Sequence, residues 1–256
     1  MTDGQERQDG GAVTAAVLVI GDEILSGRTK DRNIGYIAEY LTNIGIDLRE
    51  ARVVPDVVRE IAEAVNALRH RYTYVFTTGG IGPTHDDITA DGIGHAFGLP
   101  VVHHPRAVEI LTDYLGDRIN EARLRMARMP EGAELIENAV SKAPGWRIGN
   151  VHVMAGIPSV MQAMLDAIAP TLKTGAKMLS VTVEGEGLKE GDIGGPLTEV
   201  QNAHSGVMIG SYPHFDGKRF TTALVVRSRD REALEAARAD VQALVDRLQA
   251  EIENQD

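Results

Sequence analysis

The chain contains no cysteine among its 256 residues. Structural disulfides and thiolate metal sites are therefore excluded, and the composition suits a reducing cytoplasm. Aromatic residues are also scarce, with only four Phe and one Trp, so few side chains can stack against the bases of a nucleic acid. No apolar run approaches the roughly 20 residues that a membrane-spanning helix needs.

The charge balance also excludes some partners. The formal net charge is −11, which argues against general nucleic-acid binding because that binding depends on Lys and Arg neutralising phosphates. A nucleotide ligand stays compatible with this charge, since a bound cation can invert the local field. The first twelve residues are polar and glycine-rich and lack the pattern of a signal peptide, so we expect a disordered tail and a cytoplasmic protein with no membrane partner.

A glycine-rich stretch after a short apolar run is the most informative part of the sequence. Residues 74–78 are β-branched and aromatic, which favours a buried strand, and Gly79, Gly80 and Gly82 follow within four positions. Glycine lets a ligand approach the backbone closely, and successive exposed N–H groups form a concave anion site. We therefore expect the backbone amides from Gly80 to Thr84 to bind a phosphate.

Two acidic residues, Asp86 and Asp87, follow this turn directly. They would repel a phosphate unless a divalent cation lay between them, and magnesium suits a few carboxylates together with phosphate oxygens. Thr89 then has the position of a helix N-cap. The stretch is neither a Walker loop nor a GxGxxG dinucleotide motif. The alternative is a tight strand-to-helix connection with solvated acids.

The first half of the chain has the order βαβαβα, which predicts a parallel sheet with helices on both faces. The first strand, residues 15–20, is followed by Asp22 and Glu23, at the strand end where open α/β sheets bind ligands. If the first and third strands are neighbours, these acids and the pair after the glycine turn converge on one crevice. Asp56 begins the helix after the second strand, and it has either a capping or a functional role.

The later part of this half is less regular. We predict helices over 100–116 and 118–128, short hairpin-like strands between 130 and 150 with Trp146 in the core, and a strand over 151–154. The turn from Gly156 to Ser159 then precedes a helix, where it forms either a second anion site or only an N-cap.

The pattern changes after residue 172. Strands at 177–184, 206–211 and 219–228, with helices at 192–203 and 231–252 and a turn at 213–217, predict a small α+β domain with an antiparallel pair of strands. The predicted organisation is a tail at 1–12, an α/β domain at 13–172 and the small domain at 173–256.

Several strings, taken in order, resemble the molybdopterin-binding (MoaB/Mog-like) superfamily, in particular the N-terminal region of CinA-type proteins and the corresponding domain of FAD synthases. These strings are Gly-Asp-Glu-Ile-Leu-Ser-Gly at 21–27, Asp-Arg-Asn at 31–33, Gly-Gly-Ile-Gly-Pro-Thr-His-Asp-Asp-Ile-Thr at 79–89 and Met-Pro-Glu-Gly-Ala-Glu-Leu at 129–135. One departure is Gly-Ile-Pro-Ser at 156–159, where CinA-type proteins usually have Gly-Pro-Pro-Ser. The length leaves no room for the amidase domain of CinA, so nicotinamide-nucleotide deamidation is not expected.

The resemblance implies a three-layer α/β sandwich with a mostly parallel sheet, often oligomeric. It also implies cleavage of pyrophosphate bonds in ADP-ribose or FAD with a divalent metal (Mg, Mn or Co) and potassium, or molybdopterin binding with transfer of an adenylyl group or metal. The roles it suggests, combined with the motif chemistry, are as follows: Asp56, Asp86 and Asp87 catalytic; Gly79, Gly80, Gly82, Thr84, Asn33, Gly156 and Ser159 in ligand binding; and Asp22, Glu23, Asp86 and Asp87 at the metal.

Three functions are compatible with these expectations. The first is a metal-dependent pyrophosphohydrolase acting on a nucleotide diphosphate, with water attacking phosphorus in line. The second is a molybdopterin-binding transferase in molybdenum cofactor synthesis, and the third is a non-catalytic nucleotide or pterin sensor. In each case the partner is a small molecule rather than a nucleic acid, and a homo-oligomer is expected.

Overall fold

The computed structural model describes residues 12–215, 217 and 219–253. They fall into two compact units, the first ending at Gly175 and the second beginning at Ala176, and each unit is described by itself. The tail predicted at residues 1–12 lies outside the described residues except for Ala12.

Between residues 12 and 175 the first unit is built from eight strands and seven α-helices. Its strands are β1 (Thr14–Ile20), β2 (Asp47–Val54), β3 (Tyr74–Thr78), β4 (Val101–His103), β5 (Arg128–Pro130), β6 (Glu134–Ile136), β7 (Gly145–Ile148) and β8 (Val151–Met154). Its helices are α1 (Asp22–Leu25), α2 (Asn33–Asn43), α3 (Val58–Arg69), α4 (Thr89–Phe97), α5 (Pro105–Leu115), α6 (Glu121–Leu124) and α7 (Pro158–Ile168). Short 3₁₀ turns follow at Gly116–Arg118, Arg125–Ala127 and Ala169–Thr171.

Six of these strands form one mostly parallel sheet in the order β2-β1-β3-β8-β7-β6. Strands β2, β1, β3 and β8 are parallel, and β7 and β6 continue the sheet in antiparallel pairing. The first and third strands are neighbours, as predicted, so the ends of β1 and β3 meet at one edge of the sheet. Trp146 on β7 is 1% exposed and belongs to the core, also as predicted.

Helices cover both faces of this sheet because its central strands are apolar on both sides. Side chains of a strand alternate between the two faces. On one face Leu18 packs in a cluster with α3 and α4, and on the other Val17 packs in a cluster with α2 and α7. The result is the predicted three-layer α/β sandwich, in which a near-continuous apolar run marks a strand that is buried on both faces.

The bounds predicted for two helices in the irregular region are wrong. The segment expected to be helical over 100–116 begins with β4, which pairs antiparallel with β5, and its helix α5 starts only at Pro105. His104 is extended because the residue before a proline disfavours the helical region. The helix expected at 118–128 is reduced to α6, because the chain must extend at Arg128 to pair with β4.

The second unit is an antiparallel sheet with two helices and its own apolar core. Its elements are β9 (Leu179–Glu186), α8 (Glu190–Ala203), β10 (Val207–Phe215), β11 (Phe220–Ser228) and α9 (Arg231–Glu253), with the strand order β10-β11-β9. The predicted antiparallel pair is confirmed, and the strand predicted at 177–184 is present as β9, which pairs with β11 as the third strand of the sheet. The turn predicted from Pro213 is wrong, since β10 continues through Pro213 to Phe215. A proline is tolerated there because β10 is an edge strand.

None of the helices within the described ranges is long and apolar enough to cross a membrane.

Candidate functional site

The ends of three strands meet at Gly79, which follows β3. Its N–H donates to the Met154 carbonyl at the end of β8 (3.2 Å). A Cβ placed on Gly79 would lie 2.1 Å from the Ile20 carbonyl oxygen at the end of β1, and the φ angle of Gly79 is 103°. Only glycine fits this close approach and this left-handed backbone. The first glycine of the turn therefore closes the carboxyl edge of the sheet.

Thr89, the first residue of α4, holds the other end of the glycine-rich turn. Its side chain is fully buried, its hydroxyl donates to the Gly79 carbonyl (2.9 Å), and its N–H donates to the Gly80 carbonyl (3.1 Å). The prediction that Thr89 is an N-cap is wrong, because Ile88 occupies the cap position and α4 begins at Thr89. Its hydroxyl bonds the glycine turn instead of a helix amide, so it holds strand, turn and helix together.

Three backbone amides of the turn donate no hydrogen bond within the described part of the chain: those of Gly80, Ile81 and Gly82. The other positions expected to contribute do not, since Pro83 has no N–H and the Thr84 N–H donates to the Asp87 carboxylate (2.8 Å). The anion cradle is therefore shorter than the range from Gly80 to Thr84, and successive free amides of this kind attract an anion.

The Asp87 carboxylate closes the turn on itself. One of its oxygens, Oδ2, accepts both the N–H and the hydroxyl of Thr84 (2.6 Å for the hydroxyl). A Cβ on Gly82 would lie 2.6 Å from the same oxygen, so glycine is needed there for the carboxylate to fold back. Thr84 thus holds Asp87 in place, and its predicted contact with a ligand stays a prediction.

Two adjoining clefts open where these strand ends meet. The glycine cleft has a volume of about 630 Å³ and is lined by Glu23, Thr29, Gly79, Gly80, Ile81, Gly82, Pro83, Asp87, Met126, Ser141, Ala143, Ala155, Gly156, Ile157, Pro158, Val160 and Met164. The basic cleft has a volume of about 460 Å³ and is lined by Val19, Ile20, Glu23, Ile24, Arg28, Thr29, Lys30, Asp31, Arg32, Asn33, Thr78, Gly79, Gly156 and Pro158. Glu23, Gly79 and Gly156 are among the residues that line both.

A group of carboxylates lies beside the clefts, and Asp56 is its most informative member. Its Oδ2 accepts the Asp22 N–H (2.9 Å), so the alternative that it only caps α3 is wrong, because Val57 holds that position. Burial raises the pKa of Asp56, the hydrogen bond from Asp22 opposes this, and the charges of Asp22, Glu23 and Asp86 raise it further. Three of the acids predicted to converge, Asp22, Glu23 and Asp86, therefore act electrostatically on Asp56.

The acids nevertheless differ in where they lie. Glu23 and Asp87 are in the wall of the glycine cleft, whereas Asp22, Asp56 and Asp86 are outside the walls of both clefts. Asp86 is exposed. The Glu23 carboxylate folds back over Gly21, where a Cβ would lie 2.6 Å from its Oε2.

The described residues contain no group of three or more His, Asp or Glu side chains that could by themselves hold a metal ion. This arrangement does not fit an ion enclosed by protein ligands. It does fit magnesium, which is usually held by one or two carboxylates together with waters and phosphate oxygens. The metal role predicted for Asp22, Glu23, Asp86 and Asp87 therefore stays a prediction, with Glu23 and Asp87 the members that line a cleft.

Asn33, Gly156 and Ser159 come together only in part. Asn33 is 4% exposed at the start of α2, and its Nδ2 donates to the Gly156 carbonyl (2.9 Å), so these two residues join the walls of the clefts. Ser159 is exposed in the first turn of α7 and lies outside both walls. It is not an N-cap either, because Ile157 holds that position.

Sequence reasoning missed the basic residues of the second cleft and the buried Thr78. Arg28, Lys30 and Arg32 alternate along the segment between α1 and α2, and all three line the basic cleft. The signal was present as three cations within five residues of an acidic chain. It was hidden because a charged loop is usually a solvated surface.

Comparison with known families assigns both parts of the chain. Residues 16–174 match the family model described as a probable molybdopterin binding domain. The chain belongs to this MoaB/Mog-like family. Residues 178–253 match a second model, the middle domain of FAD synthase, so both units of the chain have a family counterpart.

Individual relatives agree with the same assignment. A probable FAD synthase from Caenorhabditis elegans is 31% identical over 258 residues, which cover 91% of this chain and 50% of that protein. The chain thus spans about half the length of that relative. A protein from Aeropyrum pernix is 34% identical and is matched over 93% of both chains. A crystal structure of the protein CinA, of unknown function, from Thermoplasma acidophilum is 33% identical with a TM-score of 0.58, over 62% of this chain and 98% of that one. The resemblance to CinA-type proteins and FAD synthases is confirmed.

Proposed function

We propose that this protein is a metal-dependent pyrophosphohydrolase that cleaves the diphosphate of a nucleotide such as ADP-ribose or FAD. The observation that carries the proposal is the glycine cleft, which combines the free amides of Gly80, Ile81 and Gly82 with the carboxylates of Glu23 and Asp87. Amides that bind an anion, placed beside carboxylates that bind a cation, suit a diphosphate with its metal ion. The similarity to an FAD synthase supports a nucleotide ligand of this kind.

The first role of the protein is to bind and orient the diphosphate. The free amides donate to the oxygens of one phosphate, and the neighbouring glycines let the phosphate reach the backbone. Glu23 and Asp87 would hold a divalent cation from the cleft wall, and that cation would supply charge neutralisation at the diphosphate. Thr84 keeps the Asp87 carboxylate in one orientation through its two hydrogen bonds.

The second role is to accept a proton. A water oxygen attacks one phosphorus, the anhydride P–O bond breaks, and two phosphomonoesters leave, one of them AMP. Asp56 lies outside the cleft walls, so it takes this proton through one bridging water, and its raised pKa makes the carboxylate a better base. Its Oδ2 is occupied by the Asp22 N–H, which leaves Oδ1 for the proton.

Product analysis tests the activity directly. The purified protein, incubated with ADP-ribose or FAD and Mg²⁺, Mn²⁺ or Co²⁺, is expected to release AMP, as measured by chromatography. Asp87→Asn should abolish this release and keep the fold, since the Asn side-chain oxygen still accepts the bonds from Thr84 while its negative charge is lost. Asp113→Asn is the matched control, because Asp113 is exposed on α5 and lines neither cleft.

The pH profile tests the role of Asp56. Because its pKa is raised, the rate should fall with decreasing pH below an apparent pKa higher than that of an ordinary aspartate, and Asp56→Asn should remove this limb along with most of the rate. No AMP from any of these substrates with any of these metals would exclude the proposed activity. A wild-type profile retained in Asp56→Asn would exclude only the proposed base.

A molybdopterin-binding function is the second candidate, and the family match at residues 16–174 favours it. This function would use the same cleft as the proposed hydrolysis but a different ligand. Copurification of a fluorescent pterin, or restored molybdoenzyme activity in a deficient strain, would favour it over hydrolysis. Tight nucleotide or pterin binding in calorimetry with no product over hours would instead indicate a sensor.

A further inference from the structure

The basic cleft contains three cationic side chains that make no hydrogen bond or ion pair within the described ranges of the chain. Arg28, Lys30 and Arg32 are exposed, and all line this cleft. Asp31 lies between them, but its Oδ1 hydrogen-bonds the start of α2, where it accepts the N–H groups of Asn33 (3.2 Å) and Ile34 (2.8 Å). The local positive charge is therefore not neutralised by an ion pair within the segment.

These arginines differ from the others around them. Across residues 12–175, Arg28 and Arg32 are the arginines whose side chains make no hydrogen bond or ion pair. Others are paired even when they are well exposed, as with Arg147 and Glu134 (2.7 Å) or Arg106 and Glu109 (2.6 Å). In a chain of net charge −11, with acids available nearby, two unpaired arginines and a lysine on one cleft wall indicate an anionic ligand.

Two buried polar atoms in the same wall lack a partner. Asn33 is 4% exposed and Thr78 is 1% exposed, and neither Asn33 Oδ1 nor Thr78 Oγ1 makes a hydrogen bond. The Asn33 amide is held by the bond from its Nδ2 to Gly156, so its Oδ1 can only accept. A buried polar atom without a partner is costly unless a ligand supplies one, and a ligand hydroxyl group is chemically able to bond either atom.

We propose that the basic cleft binds a sugar that carries a phosphomonoester beside a free hydroxyl group, so that the preferred ligand is a nucleotide with one phosphate beyond its diphosphate. Arg28, Lys30 and Arg32 bind the phosphomonoester, for which guanidinium groups are well suited, and Asn33 and Thr78 bind the hydroxyl. The proposal rests on the proposed function in placing the diphosphate at the glycine turn. Gly79 lines both clefts, so one ligand can reach from one into the other.

Binding of mononucleotides tests this proposal without any reaction. Calorimetry compares AMP with adenosine 2′,5′-bisphosphate and adenosine 3′,5′-bisphosphate, none of which contains a diphosphate to cleave. We expect the wild-type protein to bind one of the bisphosphates at least about tenfold more tightly than AMP, the scale of a charge-assisted hydrogen bond. The double variant R28Q/R32Q should lose this preference at an unchanged thermal unfolding midpoint, since both side chains are exposed and unpaired.

Arg106→Gln is the matched control, because it removes the same charge from an exposed arginine that lines neither cleft, and it should keep the preference. Equal affinities for AMP and both bisphosphates in the wild-type protein would overturn the proposal, and so would a preference that persists in R28Q/R32Q. A bisphosphate preference without AMP release from ADP-ribose or FAD would support this proposal and exclude the hydrolase. AMP release without a preference for a bisphosphate would support the hydrolase and exclude this proposal.

Discussion

Gly79 contacts the ends of three strands, and this is why a single residue decides the geometry of the site. Its N–H bonds β8, its carbonyl accepts the Thr89 hydroxyl, and its Cα faces the Ile20 carbonyl at the end of β1. Gly156 lies close to Gly79 as well, since a Cβ built on Gly156 would lie 3.3 Å from the Gly79 Cα. A side chain at position 79 would therefore push apart the strand ends that form both clefts.

The variant Gly79→Ala should be strongly destabilised and should bind ligand poorly. A non-glycine residue in the left-handed region costs on the order of 1–2 kcal/mol, and here the new methyl group would also collide with the Ile20 carbonyl at 2.1 Å. The free energy of unfolding is measured with urea. Gly98→Ala is the control, since Gly98 also has a positive φ but no described atom beyond its chain neighbours and its own helix lies within 4 Å of the place its new methyl group would take. Equal losses in the two variants would show that the close approach is unimportant.

Residue types alone predicted the glycine turn, because several glycines in succession restrict the backbone to few arrangements. They did not predict the partners of Thr89 and Asp56. Both are short polar residues near the start of a helix, and such residues usually cap it. Thr89 instead bonds the carbonyl of Gly79, and Asp56 accepts from Asp22, 34 residues earlier in the chain. Only the completed fold brings these partners together.

At the scale of whole elements, β8 contains a buried histidine that no sequence pattern singled out. His152 is 1% exposed, stacks on Phe76 of β3 with ring centroids 5.2 Å apart, and leaves Nδ1 without a partner. Burial lowers its pKa to about 4, and the nearby charge of Arg147 adds to the effect. The strand therefore packs an uncharged imidazole ring into the core.

Stability should consequently fall as the pH decreases from 6.5. The folded state keeps His152 neutral down to about pH 4, whereas the unfolded chain binds a proton at about pH 6.5, so the unfolded state binds more protons between these values. Linkage gives a loss of about 1.5 kcal/mol in the free energy of unfolding between pH 6.5 and 5. His152→Phe should remove this slope, measured by urea titration at several pH values.

The control for this prediction is His70→Gln, since it replaces an exposed histidine that lies outside the buried core. The range above pH 5 is chosen because most carboxylates titrate below it. If the wild-type protein and His152→Phe lost stability equally between pH 6.5 and 5, another group would be responsible.

Elements themselves were predicted well where a periodic pattern was long and poorly where it was short. The apolar run at residues 15–20 predicted a strand that agrees with β1 to within one residue. Strand β4 has only three residues, and the sequence pattern predicted it as part of a helix. Its pairing with β5, across 25 residues or more of sequence, depends on tertiary contacts that no local window contains.

At the scale of the whole molecule, the chain contains separate apolar cores. Two clusters of buried residues cover the two faces of the large sheet and end at Leu172, and a third begins at Val183 in the second unit. The sequence indicated this change because the βαβ alternation stops and antiparallel strand patterns follow. It could not indicate which unit contains the two clefts, since that depends on which strand ends meet.

All residues that line the two clefts precede position 165, and this leads to a prediction for the first unit alone. A fragment of residues 12–175 should fold, because both core clusters of the large sheet are complete within it. It should unfold in one cooperative transition and bind adenosine bisphosphates with the affinity of the full chain, measured by calorimetry side by side. R28Q/R32Q in the fragment should weaken this binding as it does in the full chain. A folded fragment that no longer binds nucleotides would show that the second unit contributes to the site. The same conclusion would follow if the fragment bound nucleotides but no longer released AMP.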